Sequence, residues 1–249
     1  LTELMARERG LTVDVAGFNK LMEEQKARAR ASQKKQVIEV SQVETTTPTQ
    51  FIGYDKLESP AKVLEVVSIK DKTAVIFNTS PFYAEMGGQV GDTGEMSGAG
   101  ELWTINNTQK AGDAWLHFLA PDDASRITNH ASLPAPGSSV TLAVDRPRRE
   151  AIQRHHTVTH LLHWALHEVV SPDATQKGSY VGPEKLTFDF SSAALTPQQV
   201  ADVERLVNER ILENAPVTWI ERNYSDIKGN RAIRQFFGEA HPLHRHRHL

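Results

Sequence analysis

The chain has 249 residues, a net charge of −3, 39% hydrophobic and 24% charged residues, the composition of a globular protein long enough for more than one compact unit. It has no run of 18 or more apolar residues, which excludes a membrane-spanning helix, and its start, LTELMARERG, lacks the apolar core of a signal peptide. The expected location is cytoplasmic with no membrane partner; zero cysteines exclude disulfides and thiolate metal ligands, and the near-neutral charge leaves nucleic acid open, since local patches decide that.

Residues 12–36, TVDVAGFNKLMEEQKARARASQKKQ, predict a helix capped at Thr12 or Asp14, with Phe18, Leu21 and Met22 on one face. Its tail is basic through Lys26, Arg28, Arg30, Lys34 and Lys35, which reads as a solvated helix leading to a linker or as a nucleic-acid contact. A chain that starts in mid-element without an initiator Met is expected to be a piece of something larger.

From 37 to 145 the period changes to two. KVLEVVSI, TAVIFNTS, GELWTINNT, AWLHFLA and SVTLAVD are short β-branched or aromatic runs broken by Gly, Pro, Asp and Asn, which predicts a small antiparallel barrel. Within it lies SPFYAEMGGQVGDTG, residues 80–94, with glycines at 87, 88, 91 and 94. Such a loop permits positive φ and close backbone approach, so it is either a turn or a wall of a ligand site. It lacks the terminal Gly-Lys-Ser/Thr of a phosphate-binding P-loop.

After Asp145 the chain turns helical and mixed. RPRREAIQRHHTVTHLLHWALHEVV predicts a long helix, KLTFDFSS a strand, and TPQQVADVERLVNERILENA an amphipathic helix with a Thr cap and Pro in its first turn. VTWIERNY is a second strand candidate and DIKGNRAIRQFFG a short closing helix. The expected fold class is α+β, with an N-terminal helix, the barrel, and then helices on an antiparallel sheet.

The long helix holds histidines at 155, 156, 160, 163 and 167. At about 100° per residue, His156, His160, His163 and His167 fall in one stripe. Imidazoles at i and i+4 converge near a helix surface, a geometry that zinc uses in hydrolytic sites. The same residues fit ordinary structural histidines. Thr157 stands where the metalloprotease motif has Glu, so that motif's general base is missing, and two imidazoles make half of a tetrahedral shell.

SPFYAEMGGQVGDTG, RHHTVTHLLHWAL, TQKGSYVGPEKLTFDF and VNERILENAPV together resemble successive motifs of the alanyl-tRNA synthetase family, in the same order and at similar spacing. Threonyl-tRNA synthetase has a related His-x-x-x-His editing domain, but the FYAEMGGQVGDTG loop is similar to the alanyl enzymes and their free-standing editing relatives. ERGLTVDVAGFNKLMEEQKARAR resembles the end of the alanyl family's tRNA-recognition helical region, which the free-standing proteins lack. The resemblance divides the chain into that helical segment (1–36), the barrel (37–145), an incomplete editing domain (146–239) and a tail outside the family pattern (240–249).

The resemblance implies a family that attaches alanine to its tRNA with ATP and magnesium, through a core that would precede residue 1, and that hydrolyses mischarged seryl- or glycyl-tRNA in a separate editing domain. Such editing is needed because one or two small groups give only ~10 to 200-fold discrimination. Carried over, His156 and His160 match zinc ligands. Thr159, Gln176 and Ser179 match pocket positions that act on the mischarged substrate, and His155 is structural or surface-facing. Gly87, Gly88 and Gln89 match the glycine-rich loop, which shapes the pocket or the approach of the tRNA end. Arg146 and Arg149, with Arg148 and Arg154, are candidates for tRNA phosphates.

One departure is plain. The family completes its metal shell with a downstream Cys-x-x-x-His segment, CGGTH, and this chain has no cysteine. AHPLHRHRHL follows RQFFGE instead, and the expected explanation is a truncation joined to vector-derived or frame-shifted residues. Its histidines, His241, His244, His246 and His248, also suit metal capture as a His-rich tract. Two alternatives therefore stand beside an editing fragment: a non-catalytic tRNA-binding or structural module, and a free-standing alanyl-tRNA editing protein.

Overall fold

The computed structural model describes residues 9–10, 12–25, 48–69, 72–120, 133–218, 220 and 222–227. Its N-terminal helix, α1, is described over residues 15–25, and Asp14 is its cap, accepting the Gly17 amide at 2.8 Å. Of the predicted apolar face, Phe18 and Leu21 stand exposed. The basic tail at 26–36 and the histidine-rich tail lie outside the described residues.

Among the described residues ten strands follow: β1 (Gln50–Phe51), β2 (Glu58–Ile69), β3 (Lys72–Phe77), β4 (Thr79–Ser80), β5 (Gly94–Gly98), β6 (Glu101–Ala111), β7 (Ala114–Leu119), β8 (Ser139–Val144), β9 (Gln176–Val181) and β10 (Leu186–Phe190). Six of them close into an antiparallel barrel in the order β2-β3-β7-β6-β5-β8. Full closure removes the exposed sheet edges that make open sheets prone to pairing with other chains. Alternation decides what each strand buries. Val75 and Phe77 of β3 join Met96, Ile105, Leu142 and others in one apolar cluster, while Ala74 and Ile76 join Leu116 and Phe118 in a second. The β3–β7 wall is thus buried on both faces, and its strands read as continuous apolar runs. A register shift between Val63 and Glu65 lets β2 serve both clusters.

The last barrel strand runs directly into α2 (Arg146–Val169). Asp145 receives the Arg148 amide at 3.1 Å, and its own amide donates to the Thr93 carbonyl at 2.9 Å. The helix start is therefore pinned to the barrel, with no linker between them. Helix α3 (Pro197–Leu212) opens on a reciprocal capping box between Thr196 and Gln199. Val203 and Val207 of α3 pack with Ala165 and Leu166 of α2 and with Phe188 and Phe190 of β10. The Arg210 guanidinium lies 4.9 Å from the Trp164 ring centroid, closing the α2–α3 contact.

The α+β architecture matches the sequence expectation, with two differences. VTWIERNY forms no strand over its described residues, and the described chain passes there into a single turn, α4 (Tyr224–Ile227). A half-buried strand needs a face to cover, and Val217 and Ile220 stand exposed. The closing helix beyond 227 lies outside the described residues. The partner of β10 is β9 instead, whose QKGSYV shows no apolar alternation. Among the described residues no helix is long and apolar enough to cross a membrane.

Candidate functional site

The glycine-rich loop folds as a tight hairpin. Met86 and Gln89 exchange backbone hydrogen bonds at 3.1 and 3.2 Å, and the two residues between them, Gly87 and Gly88, have φ of +61° and +83°. Positive φ at both central positions is what a type I′ turn requires and what side chains resist. Past the turn the chain joins the second sheet: the Val181 amide donates to the Gly88 carbonyl at 2.8 Å, and the Val90 amide donates to the Val181 carbonyl at 3.1 Å. Gly88 also lies against Ser179, where a Cβ would come within 2.6 Å of the Ser179 carbonyl and hydroxyl oxygens. The hairpin thus docks the barrel onto β9, beside the first half of α2.

That docking delivers Gln89 to the histidines. Gln89 is 4% exposed, and its Oε1 accepts from His156 Nδ1 at 2.6 Å. The His156 and His160 rings stack, with centroids 5.1 Å apart and planes at 21°. His155 turns aside and donates from Nδ1 to the Gly182 carbonyl at 2.7 Å, tying the helix to the β9–β10 turn. Thr159 is buried, and its hydroxyl donates to the His155 carbonyl at 2.8 Å, so it would meet a substrate as an acceptor.

Gln176 and Ser179 lie three apart on β9, where strict alternation would send their side chains to opposite faces. A bulge on this hairpin, between Asp189 and Phe190, changes the register so that Ser179 pairs with Phe188 and Gln176 with Phe190, two residues of one face. Gln176 Nε2 accordingly donates to Ser179 Oγ at 3.0 Å.

The second half of the stripe is bound differently. His163 and His167 both donate from Nε2 to the Ala174 carbonyl, at 3.1 and 2.7 Å. Burial pushes the His163 pKa below its ordinary value, against the hydrogen bond to Ala174 and with a smaller contribution from the His167 charge. A metal taken through Nε2 at this pair would have to displace both hydrogen bonds. The four histidines that share a stripe by spacing are therefore two pairs with different work.

The arginines at the helix start divide as well, and Arg149 corrects the expectation of a phosphate contact. It is 3% exposed; Nε and Nη2 hold the Asp92 carboxylate, Nη1 donates to the Gly53 carbonyl at 2.8 Å and Nη2 to the Pro81 carbonyl at 2.8 Å. A guanidinium so engaged joins the barrel to the helix and has no face for a phosphate. Arg148 donates to the Gly91 carbonyl at 2.9 Å. Arg146 stays exposed and pairs at 3.8 Å with Glu150, a surface pair of little energy that leaves it accessible to an anion. Asp92 was not marked by the sequence reading; its only signal is a carboxylate inside a glycine-rich loop.

Ser80 and His117 form a pair that resembles a nucleophile and its base. His117 Nδ1 donates to the Val75 and Trp115 carbonyls, so Nε2 accepts the Ser80 hydroxyl at 2.7 Å. Both residues are 0% exposed, and burial pushes His117 from 6.5 down to about 4. No substrate reaches them, and their role is to satisfy polar groups in the barrel core.

Among the described residues there is no cluster of three or more His, Cys, Asp or Glu side chains placed to hold a metal ion. His156 and His160 suit zinc as two ligands of a shell whose remainder would come from elsewhere.

The family model for tRNA synthetases class II (A) matches residues 1–147. An alanine–tRNA ligase of Akkermansia muciniphila is 46% identical over 241 residues, covering 97% of this chain and 25% of that protein. Alanine–tRNA ligases of Methylacidiphilum infernorum and Opitutus terrae are 44% and 42% identical, each over 97% of this chain and over 24% and 26% of their own lengths. The chain thus spans about a quarter of the length of the curated relatives it matches.

Proposed function

This chain belongs to the class II tRNA synthetase family of the alanine–tRNA ligases, and from that premise we propose that it is the part of such a ligase that edits mischarged seryl- or glycyl-tRNA. The observation that carries the reading is the convergence of the stacked His156–His160 pair with the docked Gly87–Gly88 hairpin and Gln89. The substrate is alanine tRNA bearing the wrong amino acid on its 3′ ribose. The whole ligase would use ATP and magnesium in a different region.

Hydrolysis adds water across the ester: a water oxygen attacks the carbonyl carbon, the bond to the ribose oxygen breaks, and a water proton ends on the ribose hydroxyl. A zinc ion held by His156 and His160 would polarise a water or hold the substrate amine. Thr159 Oγ1 offers an acceptor for a serine hydroxyl. The Gln176–Ser179 pair presents an amide and a hydroxyl that fix the aminoacyl group against β9, at a bulge that keeps both on one face. Gly88 lies against Ser179, so the hairpin packs directly on that pair. Arg146 and Arg154, on the exposed side of the helix start, receive tRNA phosphates, and binding weakens as salt rises because phosphate neutralisation releases counterions.

The test is deacylation of seryl-tRNA with zinc present, comparing this chain with a version extended through the family's Cys-x-x-x-His segment. The expected result is weak activity here, strong activity in the extended protein, and its loss on His156→Ala or His160→Ala. Equal rates for the two proteins would overturn the incomplete-shell argument. A non-catalytic tRNA-binding module is the second reading, favoured by the lack of a third metal-binding group among the described residues. Retained tRNA binding with no deacylation in the extended protein would establish it.

A further inference from the structure

Neutral imidazole has one N–H and one lone pair, and a partner at one nitrogen decides what the other offers. At His156 the partner is the Gln89 carbonyl oxygen, 2.6 Å from Nδ1, and a carbonyl only accepts. A neutral ring facing that oxygen carries its proton on Nδ1 and its lone pair on Nε2. We propose that Gln89 is a positioning residue that holds His156 in this tautomer and ring orientation, so that the barrel hairpin prepares the helix for its ligand.

Three features make the placement specific. Gln89 is 4% exposed, so its amide is not a mobile surface group that meets His156 by chance. Its backbone is fixed on both sides, by the Met86 hairpin bonds and by a parallel bridge between Gln89 and Val181. The hairpin is itself tied to α2 through the next turn of chain, where Asp92 holds Arg149. The tautomer of His156 thus reports whether the barrel is docked on β9. Histidines that bind metals typically have the other ring nitrogen fixed in this way, and losing such a partner costs roughly 10 to 100-fold in metal affinity. The use of Nε2 for a metal rests on the editing reading above; the tautomer does not.

Long-range proton–nitrogen NMR on the full 15N-labelled chain, without metal, reads the tautomer directly, with His156 assigned by its loss in His156→Ala. The expected spectrum shows a protonated Nδ1 and a lone pair on Nε2 in the wild type. Gln89→Glu, recorded at a pH high enough to keep the ring neutral beside the new carboxylate, keeps an acceptor and should preserve that pattern. Gln89→Met, close in volume but without an acceptor, should shift it toward a mixture of tautomers, with thermal unfolding confirming that the protein remains folded. An unchanged His156 pattern in Gln89→Met would overturn the proposal, as would an Nε2-protonated ring in the wild type. Zinc chloride is then added to the wild type and to Gln89→Met. Shifts at His156 and His160 that need roughly tenfold more zinc in the variant support the full role. A correct tautomer with no zinc response in either protein removes the metal reading while leaving Gln89 as the group that sets the ring.

Discussion

Helix α2 carries the same four-residue spacing twice, His156 with His160 and His163 with His167, and the two pairs differ in what lies across from them. The first pair faces a hairpin from another part of the chain, which brings an amide to Nδ1 and leaves the rings stacked at 21°. The second faces its own domain, donates twice to the Ala174 carbonyl and packs against Phe188, whose ring is 5.0 Å from His163. Helical spacing puts side chains on a face, and the opposing surface determines what they become. The docked hairpin is therefore the feature that separates a candidate ligand pair from a structural one.

The largest test removes the link between hairpin and helix. Arg149→Met leaves the Asp92 carboxylate, 0% exposed, with only uncharged donors such as the Tyr83 amide at 2.7 Å. Breaking a buried ion pair from one side costs ~3–5 kcal/mol, which should appear as a lower denaturant midpoint. In the same variant the His156 ring signals should move, while those of His163 and His167 stay in place. Equal disturbance of both pairs would mean that the docked hairpin does not distinguish them.

Acid provides the next test, through histidines that burial keeps neutral. His117 has a folded pKa near 4 against 6.5 when unfolded, so the unfolded chain binds the proton first. The stability it contributes is complete above pH 6.5 and is lost as pH falls toward 4, on the order of 3 kcal/mol in all. His163 is shifted in the same direction and adds to the loss. Unfolding free energies measured at steps between pH 7 and 4 should fall accordingly, and His117→Met should flatten the slope. A slope unchanged by that substitution would show that His117 is not the group responsible.

A smaller effect is expected at Gly88. An alanine there meets Ser179 oxygens at 2.6 Å and must hold φ at +83°, costs of ~1–3 kcal/mol that undocking relieves. Gly88→Ala should disturb His156 more than His163 in the NMR spectrum, whereas Gly87→Ala, with nothing near its Cβ, should carry the φ penalty alone.

These contrasts also show what the sequence made legible. Five of the six barrel strands were readable because β-branched and aromatic runs write their burial into the chain, and α3 because a Thr cap, a Pro and an apolar stripe occur together; the sixth barrel strand, β5, is GEMSG and carries no such run. β9 was not, since Gln176 to Val181 has no apolar period and becomes a strand by pairing with β10 on one side and the hairpin on the other. Arg149 was misread because Arg146, Arg148, Arg149 and Arg154 look alike in one dimension. Only the third dimension reveals a carboxylate and two carbonyls around one of them. The sequence placed Gln89 in the right loop by resemblance, but its contact with His156 spans 67 positions, a distance that local pattern does not encode.

The smallest effect concerns the second pair itself. His163 is 3% exposed and gives one of two hydrogen bonds to Ala174, so His163→Leu removes a donor from an acceptor that still has His167 at 2.7 Å. Leucine fits the apolar surroundings made by Phe188 and its neighbours, and the Ala174 carbonyl keeps the His167 hydrogen bond. The expected loss is only ~1 kcal/mol, about one hydrogen bond's net value, and acid sensitivity should shrink because a group held neutral by burial has gone. The variant's zinc-induced shifts at His156 and His160 should match the wild type, while His160→Leu should abolish them. If His163→Leu weakened the zinc response as much as His160→Leu, the two pairs would form one site, and the division of the helix into a ligand half and a structural half would have to be abandoned.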